Sequence, residues 1–144
     1  MSRKAADLDS LIRLHNWTVD ERRRELGVLL QRQEELILLG QELDRQLMHE
    51  KSIAASDPTS AGFLYGAFAA NHRLRRDQLK KVLADLRRQI DEARENLADA
   101  YRQLKVYEEV QKKRGEEERK EEARQEQVVL DEIGLNQHLR RKSP

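Results

Sequence analysis

The chain has 144 residues, of which 38% are hydrophobic, 38% are charged and 4% are aromatic, and its formal net charge is +1. Typical globular domains are about 45–50% apolar and about 25% charged. The composition therefore excludes a large compact core and favours a helix pair, which needs only a narrow apolar seam. The balanced charge argues against a dedicated DNA-binding domain, and the absence of cysteine excludes disulfides, thiolate catalysis and cysteine-ligated metals.

A first helix is predicted over about residues 4–52. From Leu8 to Leu47, alternating steps of four and three residues meet an aliphatic side chain at eight of twelve positions. This spacing is the heptad pattern of a coiled-coil seam. The four exceptions, which weaken the seam or fix its register, are His15, Arg22, Gln33 and Gly40.

A turn is predicted at about residues 53–60, where small and polar residues cluster around Pro58. A second helix follows over about residues 61–137. Its seam is apolar or aromatic at all nine positions from Leu79 to Tyr107, and it turns polar from Gln111 onward. If the chain folds back near residue 56, residue i faces about residue 112 − i.

These patterns predict an all-α protein: a long antiparallel two-helix coiled-coil hairpin, forming one domain over residues 1–144, with a C-terminal helix that extends beyond the paired region. Apolar residues return near the C-terminus, where the hairpin offers them no partner: Val128, Val129, Leu130, Ile133, Leu135 and Leu139. Such a cluster indicates a docking surface, and the alternative is a frayed end that folds onto the N-terminal turn.

No residue is a candidate for catalysis, metal binding or cofactor binding. The four histidines are not spaced as metal ligands, and the six glycines form no phosphate loop. A thin hairpin also lacks a pocket that could hold two carboxyls in different environments. We therefore expect no enzyme activity, no cofactor and no small-molecule substrate. His15 and His72 fall on seam positions, which is typical of partly buried structural side chains.

The basic segment 72–88 carries seven basic and two acidic residues. Its first interpretation is a solvated helix face, its second an edge for an acidic protein, and its third a nucleic-acid site, and we expect no nucleic-acid partner. No apolar run is long enough to cross a bilayer, and the N-terminus does not have the pattern of a secretory signal. A cytosolic protein is therefore expected.

The aromatic residues outside the seam have two interpretations each. Trp17 lies on the outer side of the first helix, where it is either a contact residue or packed locally over Arg13 or Glu21. Beside the turn, aromatic residues either cap the end of the hairpin or form a contact tip for another protein: Phe63, Tyr65 and Phe68.

Three stretches together resemble the FliJ family of bacterial flagellar export proteins. The first is LIRLHNWTVDERRREL, residues 11–26, and the second is the small-residue turn followed by FLYGAFAANHRL, residues 63–74. The third is RQEQVVLDEIG, residues 124–134, which is similar to a family pattern of Glu-Gln-x-x-Leu-Asp-Glu. In this sequence, the residues of that pattern are Glu126, Gln127, Leu130, Asp131 and Glu132.

The resemblance implies a non-enzymatic, stalk-like component of flagellar type III protein export. Such a protein would bind the hexameric export ATPase and couple it to the membrane-embedded export gate and to substrate chaperones. It would lie in the cytoplasm, peripherally associated with the inner membrane at the flagellar base. The alternatives are the equivalent stalk protein of a virulence type III secretion system and a generic structural coiled-coil scaffold.

The same resemblance implies two contact regions. The ATPase-facing end would include Trp17, Arg124, Glu126, Gln127, Leu130, Asp131 and Glu132. The tip of the hairpin, assigned from its position alone, would face the gate or the chaperones with Phe63, Tyr65, Phe68 and His72.

Overall fold

A computed structural model describes residues 3–57 and 61–142, and all but one of these are helical. Helix α1 spans Arg3–Ser56 and helix α2 spans Ala61–Lys142. This confirms the predicted all-α fold class. Pro58, around which the turn is predicted, lies outside the described part of the chain.

Helix α1 continues four residues past its predicted end at residue 52. The added residues include Ala54 and Ala55, which favour helix, and the hydroxyl of Ser56 donates a hydrogen bond of 2.8 Å to the carbonyl oxygen of Ile53. The helix stops at the residue before Asp57, because the residue that precedes a proline is disfavoured in helical conformation. Helix α2 likewise runs to Lys142 rather than to residue 137.

The chain comprises two compact units. Unit 1 contains Met1–Trp17 and Tyr101–Pro144, and unit 2 contains Thr18–Ala100. In each unit a stretch of α1 packs against a stretch of α2 that runs in the opposite direction, which is the arrangement of an all-α hairpin.

The predicted seam is the buried surface of both helices. All twelve seam positions of α1 and all nine of α2 are buried or half-buried, whereas the positions that continue the series from Gln111 to Gln125 are exposed. In unit 2, the centre of this seam is a cluster of four buried side chains: Leu36, Leu79, Leu86 and Ile90. Further leucines of both helices pack against the cluster: Leu26, Leu29, Leu30, Leu43 and Leu83.

The predicted facing of the two helices is wrong by about one heptad. It placed Asp44 near residue 68, but the carboxylate of Asp44 contacts His72 and Arg76. It placed His15 near residue 97, but the ring of His15 stacks on Tyr107 with centroids 4.6 Å apart. The error arises because α1 extends to Ser56, which moves the reversal toward the C-terminus. Since the seam repeats every seven residues, a shift of one heptad leaves the predicted core unchanged.

Unit 1 is paired only over part of its length. Leu8 and Leu104 are buried there, and the amide of Gln111 donates a hydrogen bond of 2.5 Å to the carboxylate of Asp9. Beyond the half-buried Gly115, every residue of α2 from 116 to 142 is exposed. The C-terminal part of α2 therefore extends beyond its pairing with α1, as predicted.

Candidate functional site

The unpaired end of α2 carries two apolar faces. Val129, Leu130 and Ile133 form one face, and Val128, Leu135 and Leu139 form the other. At 100° per residue, the two faces are about 150° apart around the helix axis. All six side chains are about half exposed or more. A single helix that is apolar on two sides can bury both only between surfaces of another molecule.

The residues predicted for the ATPase-facing end divide between these faces and the polar surface beside them. Glu126 and Leu130 line one shallow groove together with Val129. Glu132 is exposed and lies in the heptad series that also contains Leu135. This part of the predicted site thus joins carboxylates to exposed aliphatic side chains, as in a protein contact surface.

The other predicted residues of this end are held by pairs within the helix. The amide nitrogen of Gln127 donates a hydrogen bond of 3.0 Å to the carboxylate of Asp131. The guanidinium of Arg124 lies 2.9 Å from the carboxylate of Glu121. Both pairs are solvent-exposed and are worth only a few tenths of a kcal/mol, so a partner can displace them at low cost.

Trp17 is 59% exposed and lies one helical turn from Leu14, which is also exposed. Trp17 and the unpaired end of α2 belong to the same unit. An exposed tryptophan beside an exposed leucine forms an apolar patch of the kind that anchors protein partners. The structure therefore presents Trp17 as a surface residue rather than as a core residue.

The four residues predicted for the tip differ in their exposure. Phe63 is 86% exposed and its neighbour Leu64 is nearly as exposed. Tyr65 and Phe68 are half-buried. Phe68 contributes to a groove that also includes residues of α1: Arg45, Gln46, Met48, His49 and Glu50. The structure therefore does not bring the aromatic residues into one cluster.

His72 belongs to a polar layer inside the hairpin of unit 2. Its side chain is 11% exposed, and its Nε2 atom lies 3.0 Å from Oδ1 of Asp44. The other carboxylate oxygen of Asp44 accepts a hydrogen bond of 3.0 Å from Arg76. The guanidinium of Arg76 passes over the buried Gly40, where a Cβ atom would collide with it. The expectation that His15 and His72 are partly buried is confirmed.

One charged pair near this layer has shifted pKa values. The pKa of the Glu42 carboxyl is lowered, chiefly by hydrogen bonds from Arg45. Desolvation opposes this shift, and the charge of the guanidinium and a hydrogen bond from Gln46 add smaller decreases. The same pair raises the pKa of Arg45. Two bonds of 2.9 Å and 2.7 Å join the side chains on the exposed surface. The pair stabilises local helix and does not resemble a catalytic acid–base pair.

The described residues offer helix faces and shallow grooves. Among them there is no group of three or more histidine, cysteine, aspartate or glutamate residues that could hold a metal ion. In the same residues, no helix is long and apolar enough to span a membrane. These surfaces are suited to binding another macromolecule.

The seam pattern missed one surface of unit 2. Ile37, Leu38 and Leu39 are consecutive exposed aliphatic residues, and the half-buried Leu30 lies one heptad before Ile37. A seam count follows only two positions in seven, so it passed over these side chains. The signal that could have found them is the run of four aliphatic residues from 36 to 39, which is wider than a two-helix seam requires.

The fold and these surfaces define a two-helix coiled-coil protein with exposed apolar side chains on its helix faces. A family model described as Flagellar FliJ protein matches residues 4–143. The chain therefore belongs to the FliJ family, as the sequence resemblance indicated, and is a flagellar export-associated protein. Neither a search of curated proteins nor a search of solved structures finds a match.

Proposed function

We propose that this protein is a non-enzymatic coupling component of flagellar protein export, whose unpaired C-terminal helix binds the hexameric export ATPase. The observation that carries the proposal is the pair of apolar faces on an exposed single helix, Val129/Leu130/Ile133 and Val128/Leu135/Leu139. A helix surrounded by the subunits of a ring would bury both faces at once, whereas a flat partner would bury one.

The charged residues at the C-terminal end of α2 also support this end as the ATPase contact. Carboxylates at Glu126, Asp131 and Glu132 lie among the apolar residues, and Arg140, Arg141 and Lys142 close the helix. The last turn therefore carries cations where the helix dipole is negative, which stabilises a helical segment whose residues from 116 to 142 are all exposed. The segment can reach its partner as a preformed helix, which reduces the entropic cost of binding.

The test uses the export ATPase encoded in the same genome. We would titrate the full chain into the ATPase and follow ATP hydrolysis and hexamer formation together. The proposal predicts saturable stimulation that is lost when residues 124–144 are deleted. Unchanged binding by the truncated chain would refute the assignment of this end.

Point variants distinguish the contribution of each apolar face from the effect of removing the whole helical segment. Leu130→Asp with Ile133→Asp changes one face, and Val128→Asp with Leu135→Asp changes the other. Val106→Asp is the matched control, because Val106 is 60% exposed, close to the 61% of Leu130, but lies where α2 is paired with α1. Binding in a ring predicts that both double variants fail and the control does not. Failure of only one face would favour a one-sided partner.

The tip of the hairpin is proposed to contact the export gate or the export chaperones, which would place the protein at the cytoplasmic face of the inner membrane at the flagellar base. The supporting observation is the exposure of Phe63 and Leu64 at the start of α2. Phe63→Ala should weaken binding of the cytoplasmic gate domain or of a chaperone by about tenfold, the loss expected for a buried aromatic anchor. Stimulation of the ATPase should be unchanged, and Leu74→Ala, at another exposed apolar residue, should have no effect on binding.

A further inference from the structure

One side of unit 2 has an apolar strip that the two-helix seam does not use. In the heptad frame of α1, seam residues occupy positions a and d, and Leu30 and Ile37 both occupy the next position, e. Elsewhere in unit 2 the e positions of α1 carry Arg23, Asp44 and Lys51. A two-helix coiled coil needs only a and d, whereas a helix that also carries apolar residues at e fits a bundle with a third helix.

The observed register shows which residues of α2 lie beside this strip. Asp44, at position e, contacts Arg76, at position a of α2. Because the helices are antiparallel, a step of seven residues back along α1 corresponds to a step of seven forward along α2. The same relation therefore places Ile37 beside Leu83, and one heptad further it places Leu30 beside Ile90. Leu30 and Leu83 are half-buried and pack against the core cluster, while Ile37 is 37% exposed. The strip is therefore continuous with the core.

Cations border the strip on the α2 side. Lys80 and Arg87 line a groove together with Leu83, Arg76 and Asp77. Both belong to a column of basic residues spaced by seven: Arg73, Lys80, Arg87 and Arg94. Arg76 is paired with Asp44, but Lys80 and Arg87 form no ion pair with any residue that the structure describes. The opposite border, on α1, is formed by Glu34 and Gln41.

We propose that this surface, the lateral groove of Leu30, Ile37, Lys80, Leu83 and Arg87, docks an acidic amphipathic α-helix of another protein. The apolar strip would receive the partner's apolar stripe, and the seven-residue spacing of the cations matches carboxylates that repeat once per heptad. A nucleic acid or an anionic membrane would use the cations but has no regular apolar stripe to cover Leu30 and Ile37. The inference is independent of the proposed ATPase contact, whose C-terminal residues belong to unit 1.

The probe is a fluorescent synthetic peptide of about three heptads, with leucine at positions a and d and glutamate at the flanking positions. Repulsion between the glutamates keeps this peptide from pairing with itself. A matched peptide carries lysine in place of glutamate. Both are titrated with the full chain, and fluorescence anisotropy reports binding. The proposal predicts saturable binding of the glutamate peptide only, which weakens as the salt concentration rises from about 50 to about 300 mM.

Three variants locate the site. Ile37→Asp should weaken binding of the glutamate peptide at least tenfold, because it places a carboxylate in the strip. Leu39→Asp is the matched control, since Leu39 is 48% exposed and occupies position g, on the other side of the helix pair. Lys80→Glu combined with Arg87→Glu should abolish binding of the glutamate peptide and create binding of the lysine peptide. These two positions are exposed, so this variant keeps its fold even if Ile37→Asp does not.

Several results would overturn the proposal. One is the absence of saturable binding by the glutamate peptide, and another is an equal loss of binding in Leu39→Asp. Duplex DNA or phosphatidylserine vesicles could also displace the glutamate peptide. If they bind the Ile37→Asp variant as well as they bind the natural chain, the cations would be assigned to phosphate groups. Self-association of the chain in sedimentation equilibrium that Ile37→Asp abolishes would make a second copy the occupant. Reversal of peptide preference by the charge-swapped variant would establish the docked helix.

Discussion

Substituting alanine at two glycines of α1 should have opposite effects on stability. At Gly27, a Cβ atom would have no neighbour within 4 Å, so Gly27→Ala gains the helix propensity of alanine, about 1 kcal/mol. At Gly40, a Cβ atom would collide with the guanidinium of Arg76 and lie 3.0 Å from Cδ2 of the buried Leu79. Displacing Arg76 from the half-exposed Asp44 costs about 0.2–1 kcal/mol, and crowding Leu79 costs about 1–3 kcal/mol. The gain in helix propensity of about 1 kcal/mol offsets only part of these two costs, so Gly40→Ala should lower the free energy of unfolding by about 1 kcal/mol.

The two variants therefore differ by about 2 kcal/mol in the free energy of unfolding, although each adds one methyl group to the same helix. Urea and thermal unfolding followed by circular dichroism would measure the difference. Since about 1 kcal/mol corresponds to about 2–4 °C for a chain near this size, Tm should rise for Gly27→Ala and fall by a similar amount for Gly40→Ala. Equal stabilisation by both substitutions would show that the close approach of Arg76 and Leu79 to Gly40 does not restrict this position.

Three further outcomes follow from the contacts of unit 2. Leu86→Ala should lower the free energy of unfolding by about 2–5 kcal/mol, measured by urea unfolding, because Leu86 belongs to the buried cluster; a loss under about 0.5 kcal/mol would contradict its burial. Asp44→Ala should cost about 0.5–1 kcal/mol, since it removes a half-exposed acceptor that pairs with His72 and Arg76, and Asp44→Asn should recover part of that loss in the same assay. The lowered pKa of Glu42 gives a contribution that is complete above the ordinary value of 4.5 and is lost as the pH falls through the lowered pKa. The Tm of the natural chain should therefore exceed that of Glu42→Gln near neutral pH, and the difference should disappear in acid; a difference that grows in acid would contradict this sign.

The fold followed from the sequence because the seam signal is repeated many times. Each leucine layer adds to the same periodic pattern, so single exceptions such as Gln33 or Gly40 did not obscure it. The facing of the helices did not follow, because a periodic seam is equally compatible with registers that differ by seven residues. The pairs that distinguish these registers, such as Asp44 with Arg76, are single polar contacts between distant parts of the chain.

The candidate contact surfaces were predictable to different degrees. The C-terminal apolar residues stood out because they follow a polar segment and lie beyond the predicted pairing of the two helices. The lateral groove was not predicted, since Leu30 and Ile37 lie outside the seam positions and only the register brings Leu83, Lys80 and Arg87 to the same side. The tip surface predicted from position includes His72, but this residue also lies on the seam, where it is 11% exposed and contacts Asp44.

The polar layer of Asp44, His72 and Arg76 has a mechanical consequence. If one helix slides by one heptad, each leucine layer meets an equivalent layer and recovers the same contacts. The leucine layers therefore oppose a force along the helix axis during the movement, but they do not favour the original register over the new one. A slide of one heptad would move Asp44 away from both of its partners and set it beside Ala69 or Leu83. Because Asp44 is half-exposed, the lost contacts would cost about 0.5–1 kcal/mol. One polar layer thus favours a single longitudinal alignment of the two helices within unit 2. A force along the helix axis would have to break these side-chain contacts before the helices of this unit could slide.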